Sequence, residues 1–340
     1  MARPEEIFTE IFTEHRGLLI GVAYRILGSV ADAEDVVQEA WLRWSKVDHA
    51  GVESPRAFLI TIVSRLAIDR LRQVKAQRQA YVGPWLPEPA VLGFAPDRAG
   101  PDFGGPDFGG PDFGGPDFGG PEPAGADRPA ERAELAESVE MAMLVVLETL
   151  SPLERAVFVL REAFDLPFAD IAEIIGREEP AARQLAKRAR EHVASRRPRF
   201  EVDRARRHQV TERFMAAAAH GDLDGLTRML AADVELVSDG GGKARSPIKV
   251  LSGVDHVARF LVAVSTPQAA QLFLDSIGMD RASTLDFAVE EVNGAPAMVL
   301  RAHSQVITIV SLVIVDGRIR TIYLVANPEK LRRGIPYANL

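Results

Sequence analysis

The chain contains no cysteine, and this absence removes several kinds of chemistry from consideration. A protein without cysteine has no disulfide framework, no thiolate nucleophile and no thiolate-bound zinc, and it suits a reducing compartment. Long apolar segments are missing too, because the longest, residues 306–315, is too short to cross a bilayer. Residues 1–6 lack the basic and apolar regions of a signal peptide. We therefore expect a soluble, cytoplasmic protein that does not associate with membranes.

An excess of positive charge is also missing, since 48 acidic residues outnumber 40 lysines and arginines. The imbalance is local: residues 93–150 hold 12 acidic and 3 basic residues, and the rest of the chain is nearly neutral. This region includes four copies of Pro-Asp-Phe-Gly-Gly at residues 101–120. Two glycines and a proline in five residues favour neither helix nor strand. We predict a flexible acidic linker over 93–137. It joins a folded domain at residues 1–92 to a second at 138–200, and a third folded domain follows at 201–340.

Two amphipathic helices of opposite charge are predicted before the linker. In the first, residues 32–44, apolar residues recur at helical spacing and can be buried. The polar residues left exposed on it are Asp32, Glu34, Asp35, Gln38 and Glu39. The second, residues 54–72, packs its apolar residues inward and leaves a cationic stripe suited to phosphate oxygens. The DNA-binding residues assigned to this stripe and its extension are Arg56, Arg65, Arg70, Arg72 and Lys75.

The order and spacing of these helices resemble the second domain, σ2, of an extracytoplasmic-function (ECF) sigma factor. The resemblance is carried by Asp-Ala-Glu-Asp-x-x-Gln-Glu at residues 32–39 and by Leu-Ala-Ile-Asp-Arg-Leu-Arg at residues 66–72. It implies that the acidic helix binds core RNA polymerase, and that the basic helix and the loop before it open and read the minus-ten element of promoter DNA. An ordinary helical bundle with a charged face is the alternative interpretation.

A helix-turn-helix pattern follows the linker. A helix is predicted over residues 138–149, and Ser151-Pro152 begins the next one with a capping serine and a proline at the first helical position. Residues 168–176 and 180–192 then predict two helices joined by a turn that contains glycine. Residues 138–197 are similar to the fourth domain, σ4, of a sigma factor, and this similarity implies recognition of the minus-thirty-five element.

The last helix of this pattern supplies the predicted readers of the major groove. Arginine pairs with guanine edges and glutamine with adenine edges, so Arg183 and Gln184 are expected to contact bases. Lys187, Arg188 and Arg190 are expected to contact phosphates.

The remaining region, residues 201–340, predicts an α+β domain that a minimal sigma factor lacks. Helices are predicted at 204–219, 222–230 and 254–264, a strand at 234–238, and three or four antiparallel strands over 287–325. Asp316-Gly317 is typical of a hairpin turn. This pattern resembles the SnoaL-like cone, in which helices close one end of a curved sheet. The expected fold class is therefore multidomain: an all-α σ2 domain, a helix-turn-helix σ4 domain and an α+β SnoaL-like domain.

Three short motifs resemble those of a sigma-factor group that carries such an extension. They are Trp85-Leu86-Pro87-Glu88-Pro89, Asp239-Gly240-Gly241-Gly242-Lys243 and Asn327-Pro328-Glu329-Lys330-Leu331. Consecutive glycines allow another segment to approach the backbone closely, so we predict that these motifs make regulatory contacts between domains. The residues assigned to these contacts are Trp85, Leu86, Pro87, Asp239, Gly240, Gly241, Gly242, Lys243, Asn327, Pro328 and Leu331.

The C-terminal region also holds side chains that SnoaL-like enzymes use as general bases. The candidates on predicted strands are His303, Asp286, Glu290, Glu291 and Tyr323. No pair of them has a spacing that demands catalysis. The seven histidines lack metal-ligand spacing, and the glycine motif lacks the Gly-Lys-Ser/Thr ending of a phosphate loop. We therefore expect no enzyme activity, no catalytic residue, no metal and no cofactor.

Together these patterns predict a transcription initiation factor that binds core RNA polymerase and promoter DNA. Its C-terminal domain is expected to act as a built-in regulator, so that no separate anti-sigma factor is required. Two alternatives stay open. A helix-turn-helix regulator with a ligand-sensing cone would bind DNA without polymerase, and a SnoaL-like enzyme with DNA-binding domains would show turnover in residues 201–340.

Overall fold

The computed structural model of the protein describes residues 4–90, 140–196 and 204–331. The predicted linker at 93–137, with its repeats, lies outside the described residues. Within the three described ranges, no helix is by itself long and apolar enough to span a bilayer. The pair Val254–Val264 and Pro267–Ser276 reaches the necessary length and composition only when joined, and it is bent by 81°.

The N-terminal bundle consists of α1 (Pro4–Leu27), α2 (Val30–Trp44) and α3 (Pro55–Gln77). Ser29 begins α2 by accepting a hydrogen bond from the backbone of Asp32 at 3.1 Å, and Ser54 begins α3 in the same manner. α1 packs against both other helices, and their apolar side chains share one core. The acidic and basic helices expected from the sequence are therefore present as α2 and α3.

The helix-turn-helix unit consists of α4 (Met141–Glu148), α5 (Pro152–Phe158), α6 (Phe168–Ile175) and α7 (Glu179–Arg196), with a π-helical turn at Val159–Ala163. Ser151 and Glu154 form a reciprocal capping box at the start of α5. Gly176 ends α6 with a φ of 64°, a left-handed conformation that glycine adopts without strain. The core of this unit is continuous with that of the N-terminal bundle. We call this packing of the two helical domains the closed arrangement.

The C-terminal domain combines helices with one six-stranded sheet. Its helices are α8 (Arg204–Ala219), α9 (Leu223–Met229), α10 (Val254–Val264), α11 (Pro267–Ser276) and α12 (Pro328–Leu331). Its strands are β1 (Leu230–Asp239), β2 (Leu251–Ser252), β3 (Leu285–Val292), β4 (Ala295–Ala302), β5 (Gln305–Val315) and β6 (Arg318–Val325). The order is β2-β1-β6-β5-β4-β3, with β1 and β6 parallel and the other four pairs antiparallel. The expected α+β fold is confirmed.

Local signals account for much of this domain. The expected hairpin turn joins β5 to β6, with φ values of 51° at Asp316 and 73° at Gly317. β1 extends beyond the expected range 234–238, because its pairing with β6 continues as far as Asp239. α11 was not expected from the sequence, although Thr266 caps it and Pro267 occupies its first position.

The two faces of the sheet are covered by different parts of the chain. One face packs against α8, α9 and α10, where Phe214 and Val257 are buried. The other face packs against Leu86, which precedes the linker, against Leu331 in α12, and against the first turn of α4. The second face of the sheet is therefore covered by α12 of the same domain and by segments from the helical part of the chain.

α4 belongs to two cores at once. Its residues Met141 and Ala142 pack against the sheet, whereas Val146 and Leu147 pack in the core of the helical domains. A helix that is apolar on all sides must be buried on all sides. The position of α4 between the two cores meets this requirement.

Candidate polymerase, DNA and interdomain sites

The acidic surface of α2 keeps most of its expected members. Three of them are exposed: Asp35, Gln38 and Glu39. Glu34 is half-buried. Asp32 is a correction to the expectation, because its carboxylate accepts hydrogen bonds from Arg70 at 2.6 and 2.8 Å and its side chain is 16% exposed. Asp32 therefore ties α2 to α3 and is not part of the open surface.

An apolar group that the sequence analysis did not single out lies on the same helix. Leu42 is 48% exposed, because it lies off the side of α2 that carries the buried residues. Arg43 beside it pairs with Glu39 at 3.1 Å. The surface of α2 thus offers a partner both carboxylates and an apolar contact.

The basic surface of α3 is divided between open and bonded cations. Arg56 and Arg72 are exposed, and Arg72 pairs with Asp69 one turn away at 2.8 Å. Arg70, as described, is bonded to Asp32. The expectation of one continuous exposed stripe is therefore wrong for part of the helix.

Arg65 and Lys75 are bonded to the helix-turn-helix unit. Nη2 of Arg65 donates to the backbone oxygen of Glu173 in α6 at 2.9 Å, and it lies 3.3 Å from the carboxylate of the same residue. Nζ of Lys75 donates to the backbone oxygens of Glu148 at 3.2 Å and Leu150 at 2.5 Å. Both cations are bonded because α3 packs against α5 and α6 in the closed arrangement. Lys75 is half-buried and leaves the expected open stripe, whereas Arg65 stays exposed.

The outer side of α7 carries all five residues expected to contact DNA at the second promoter element. They are exposed along the helix: Arg183, Gln184, Lys187, Arg188 and Arg190. Alanines on the opposite side are buried: Ala182, Ala186 and Ala189. Small residues on the packing side allow α7 to lie close to its neighbours, and its polar side is exposed.

Two guanidinium groups on α7 are oriented by neighbouring side chains. Arg183 donates to Glu179 at 2.6 Å and lies 4.6 Å from the ring centre of Phe168, a contact of the cation–π type. Arg190 pairs with Glu162 at 2.7 Å. Phe168 was not expected as a site residue, since nothing in its local sequence distinguishes it from a core residue.

A buried carboxylate joins the segment before the linker to the C-terminal domain. Asp239, at the end of β1, accepts hydrogen bonds from the hydroxyl of Tyr81 at 2.5 Å and from the backbone of Leu86 at 2.8 Å. Nζ of Lys330 lies 2.6 Å from the same carboxylate, donates to the backbone oxygen of Leu86, and sits 3.2 Å from the ring centre of Trp85. Burial lowers the pKa of Lys330 to about 8, although Asp239 acts in the opposite direction.

The glycine motif provides space for this contact. Nδ2 of Asn327 donates to the hydroxyl of Tyr81 at 2.8 Å. A Cβ at Gly241 would lie 2.4 Å from that Nδ2, so a side chain there would displace Asn327. A Cβ at Gly242 would lie 3.0 Å from Cβ of Val82, which is a tight contact. We call the residues that meet here the Asp239 cluster: Asp239, Tyr81, Leu86, Asn327 and Lys330. The structure therefore brings the three sequence motifs together.

The other residues assigned to interdomain contacts lie around this cluster. Lys243 forms an ion pair with Glu329 at the surface. Gly240 is buried beside Ser246, and Pro328 is the first residue of α12. Pro87 and Leu331 are buried, the latter in the core that contains Leu86. Tyr81 and Lys330 were not assigned to the site, although Lys330 lies within one of the motifs.

A second contact ties the same segment to both domains through Glu88. Its carboxylate accepts hydrogen bonds from the hydroxyl of Ser29 at 3.0 Å and from the backbone of Val30 at 2.7 Å, at the start of α2. Its backbone oxygen accepts from the hydroxyl of Tyr24 at 2.6 Å, and Nδ2 of Asn293 donates to that hydroxyl at 2.7 Å. Burial raises the pKa of Glu88, even though the hydrogen bonds from Ala31, Ser29 and Val30 act to lower it.

Two known sequence families match the helical parts of the chain. Sigma-70 region 2 matches residues 11–77, and Sigma-70, region 4 matches residues 140–193. The chain is 36% identical over 327 residues to the ECF RNA polymerase sigma factor SigJ of Mycobacterium tuberculosis (strain ATCC 25618 / H37Rv), with 94% of this chain and 91% of SigJ covered. The chain belongs to the ECF sigma factor family.

Further comparisons extend the likeness along the whole ECF sigma factor. The chain is 29% identical over 317 residues to the probable ECF RNA polymerase sigma factor SigI of the same species, with 93% of this chain and 92% of SigI covered. The crystal structure of M. tuberculosis SigJ is similar with a TM-score of 0.66 and 33% identity, over 96% of this chain and 99% of that one. The N-terminal bundle is thus a σ2 domain, the helix-turn-helix unit a σ4 domain, and the C-terminal domain SnoaL-like.

This ECF sigma factor is a transcription initiation factor, which binds core RNA polymerase and directs it to promoter DNA, and it is not an enzyme. The side chains considered as general bases lie on β3, on β6 and in the turn between β4 and β5. His303 is exposed in a turn, Asp286 is exposed on β3, and Glu290 pairs with Arg301. Tyr323 is buried, and burial raises its pKa to about 12. In the part of the chain that the structure describes, no group of three or more acidic or histidine side chains has a metal-binding arrangement.

Proposed function

We propose that this ECF sigma factor is regulated by its own C-terminal SnoaL-like domain, so that no separate anti-sigma factor is required. The functional units are the σ2 domain at residues 1–92, the acidic linker at 93–137, the σ4 domain at 138–200 and the regulatory domain at 201–340. Because its partners are core RNA polymerase and the chromosome, the protein acts in the cytoplasm.

The observation that carries this proposal is the burial of Asp239 between donors from two domains. Tyr81 and Leu86 come from the segment that leaves σ2, and Lys330 comes from the regulatory domain. A buried carboxylate is stable only while its partners stay in place. A domain tethered to σ4 acts at a high effective concentration, so it can restrain σ2 and σ4 without a second protein.

The surfaces that we assign to initiation consist of residues outside the Asp239 cluster. We assign polymerase binding to the acidic surface of α2, with Glu34, Asp35, Gln38 and Glu39. In σ4, Arg183 and Gln184 read bases. The phosphate contacts are assigned to Lys187, Arg188 and Arg190 in σ4 and to Arg56 and Arg72 in σ2.

A ligand-sensing function gains no support from the cavity between α11 and β5. Its lining includes Ile277, Met279 and Ile307, and it holds about 10 Å³. That volume admits about one water molecule, whereas pockets for small molecules are on the order of 300–1,000 Å³.

Run-off transcription with purified core RNA polymerase tests the proposal. We expect a chain that ends before Asn327 to give more transcript than the parent, because the restraint at the Asp239 cluster is lost. A chain that ends at Glu201 should give less, because the regulatory domain also supports σ4. Gly241→Val should change the output in the same direction as the first truncation, since its side chain displaces Asn327.

Gly278→Val is the matched control for the glycine variant. Gly278 has a φ of 72°, close to the 60° of Gly241, but a Cβ there meets nothing within 4 Å. Both variants therefore carry the same backbone strain, and they differ in the contact that is broken. Equal transcript from the parent, both truncations and Gly241→Val, at equal protein concentration, would overturn regulation by this domain.

A further inference from the structure

Three cations at the basic side of σ2 are bonded to oxygen atoms of σ4: Arg78 is mostly buried, Lys75 is half-buried and Arg65 keeps an exposed side chain. Arg65 donates to the backbone oxygen of Glu173 at 2.9 Å, and Lys75 donates to the backbone oxygen of Glu148 at 3.2 Å. Arg78, just after α3, forms an ion pair with the carboxylate of Glu148. The σ4 acceptors in these contacts are all oxygen atoms of carboxylates or carbonyls, and oxygen is also what a DNA phosphate presents to lysine and arginine.

The surroundings of Glu148 show how strongly this contact depends on one negative charge. Its carboxylate is bonded to Arg155 at 2.6 Å and to Arg78, and its side chain is 12% exposed. Burial alone would raise the pKa of Glu148, but Arg155, Arg78 and Lys75 together hold it below its ordinary value. Three cations thus converge on one carboxylate, and they would repel one another without it.

The packing around this carboxylate is close. Arg155 is fully buried, and its Nε donates to the backbone oxygen of Arg25 in σ2 at 2.8 Å. A Cβ at Gly28, the residue between α1 and Ser29, would lie 2.6 Å from Oε1 of Glu148. The contact between σ2 and σ4 is therefore a built interface with a defined fit at Gly28.

We propose that the σ4 oxygens at Glu148, Leu150 and Glu173 stand in for DNA phosphates, and that Arg78 is a further phosphate contact of σ2. In the closed arrangement these acceptors occupy the cations that promoter DNA needs. DNA binding and the closed arrangement therefore exclude each other. This inference concerns the σ2–σ4 contact and stands independently of regulation by the C-terminal domain.

The geometry of a promoter requires the same exclusion. The minus-ten and minus-thirty-five elements are separated by roughly two turns of DNA, at about 34–36 Å per turn. In this structure α3 of σ2 touches α6 of σ4 through Arg65 and Glu173. The two domains must separate before both elements are bound, and their separation uncovers Lys75 and Arg78 and releases Arg65 from Glu173 for phosphate.

DNA affinity of the full-length protein tests the exclusion without polymerase. Fluorescence anisotropy with a labelled duplex of arbitrary sequence, at low salt, reports phosphate binding alone. We expect Glu173→Gln to raise the affinity about two- to five-fold, since it removes an exposed ion pair. Glu148→Gln, which leaves buried cations unpaired, should raise it by at least about ten-fold.

The control for these variants is Glu235→Gln, which removes one negative charge from an exposed site on β1 of the C-terminal domain. Any gain in affinity from net charge alone appears in this control. If Glu173→Gln binds the duplex no more tightly than Glu235→Gln, the proposal is overturned. The milder Glu173 variant keeps the test valid where Glu148→Gln fails to fold.

The absence of cysteine makes the separation of the domains directly measurable. Ser45→Cys and Ser195→Cys place two unique labels at exposed sites on σ2 and σ4. We expect saturating duplex DNA to lengthen the distance between spin labels at these sites in the parent chain, and Glu148→Gln to lengthen it without DNA. An unchanged distance at saturating DNA would show that σ2 binds DNA in the closed arrangement, contrary to the proposal.

The salt dependence of binding tests the role of Arg78 separately. The slope of log affinity against log salt is negative for DNA binding. In the Glu148→Gln background, Arg78→Gln should make this slope shallower by about one, as expected for one lost phosphate contact. Arg43→Gln on the acidic surface of α2 removes the same charge and should leave the slope unchanged. Equal slopes for the two variants would refute a phosphate contact at Arg78.

Discussion

The ammonium group of Lys330 lies 2.6 Å from the carboxylate of Asp239, and both side chains are withdrawn from solvent. An ion pair of this kind does little for stability compared with an apolar pair of equal shape, but the loss of one partner is costly. The pair therefore fixes how the regulatory domain contacts the segment before the linker. A change in either residue weakens the contacts on both sides of this interface.

Lys330→Met should destabilise the protein by about 3–5 kcal/mol, because the carboxylate of Asp239 stays buried without its cation. Lys243→Met is the control, since Lys243 forms a surface ion pair with Glu329 and its loss should cost less than about 1 kcal/mol. The free energy of unfolding from urea titration at pH 7 distinguishes the two. A similar loss in both variants would mean that burial of the Lys330–Asp239 pair has no energetic consequence.

The pKa of Lys330 predicts a dependence of stability on pH. The pKa in the folded protein is about 8, below the ordinary 10.5, so the unfolded chain binds more protons between these values. The contribution of Lys330 to the free energy of unfolding should therefore rise with pH across this window, by up to about 1 kcal/mol per pH unit. Below pH 8 both states are protonated and the contribution is constant.

Urea titrations of the parent and Lys330→Met from pH 7 to 10 isolate this effect. The tyrosines titrate in both proteins, so their contribution cancels in the difference between the two free energies of unfolding. The difference in free energy of unfolding between parent and variant should widen as pH rises above 8. A difference that stays constant or narrows would contradict the assigned pKa shift.

The acidic surface of α2 should carry polymerase binding. Asp35→Arg with Glu39→Arg should leave the fold intact, because exposed substitutions change stability within about 0.5 kcal/mol. Binding to core RNA polymerase should fall sharply. Asp224→Arg with Asp255→Arg changes the net charge equally on the regulatory domain, and it should bind core polymerase as the parent does. Equal co-purification of both double variants with core polymerase would place the polymerase site elsewhere.

The recognition helix should separate base reading from phosphate binding. Arg183→Ala or Gln184→Ala should relax the preference at one or two upstream bases, at a cost of about 1–3 kcal/mol for each lost bidentate contact. Arg188→Ala should weaken binding to all sequences equally and lower the salt slope by about one. Selection from a randomised promoter library with holoenzyme measures both. An unchanged minus-thirty-five preference in Arg183→Ala would show that this residue does not read bases.

Local patterns predicted the helical domains well because their signals are short-range. The capping serines Ser29, Ser54 and Ser151 and the glycine that ends α6 each act on the next few residues. The apolar periodicity of α2 and α3 required only that one side be buried. α11 was missed although Thr266-Pro267 is a start signal, because its own apolar pattern is short and mostly exposed.

The partners of individual charges could not be predicted in the same way. Nothing in the sequence around Arg65 or Lys75 indicates that σ4 supplies their acceptors, more than 70 residues later in the chain. The glycine motif correctly indicated a close approach, but the role of Asp239 as the acceptor depends on the distant Tyr81 and Lys330. Such pairings are set by tertiary packing, and charge patterns indicate only which residues need a partner.

The shared position of α4 changes how deletions of the regulatory domain are interpreted. A chain without the sheet would leave Met141 and Ala142 in water, so such a truncation tests the solubility and folding of σ4 as well as its control. Low transcription from the shortened protein would then have two independent causes. Single substitutions at Gly241 leave the sheet over α4. A change in transcription from such a variant therefore reflects regulation and not the exposure of Met141 and Ala142.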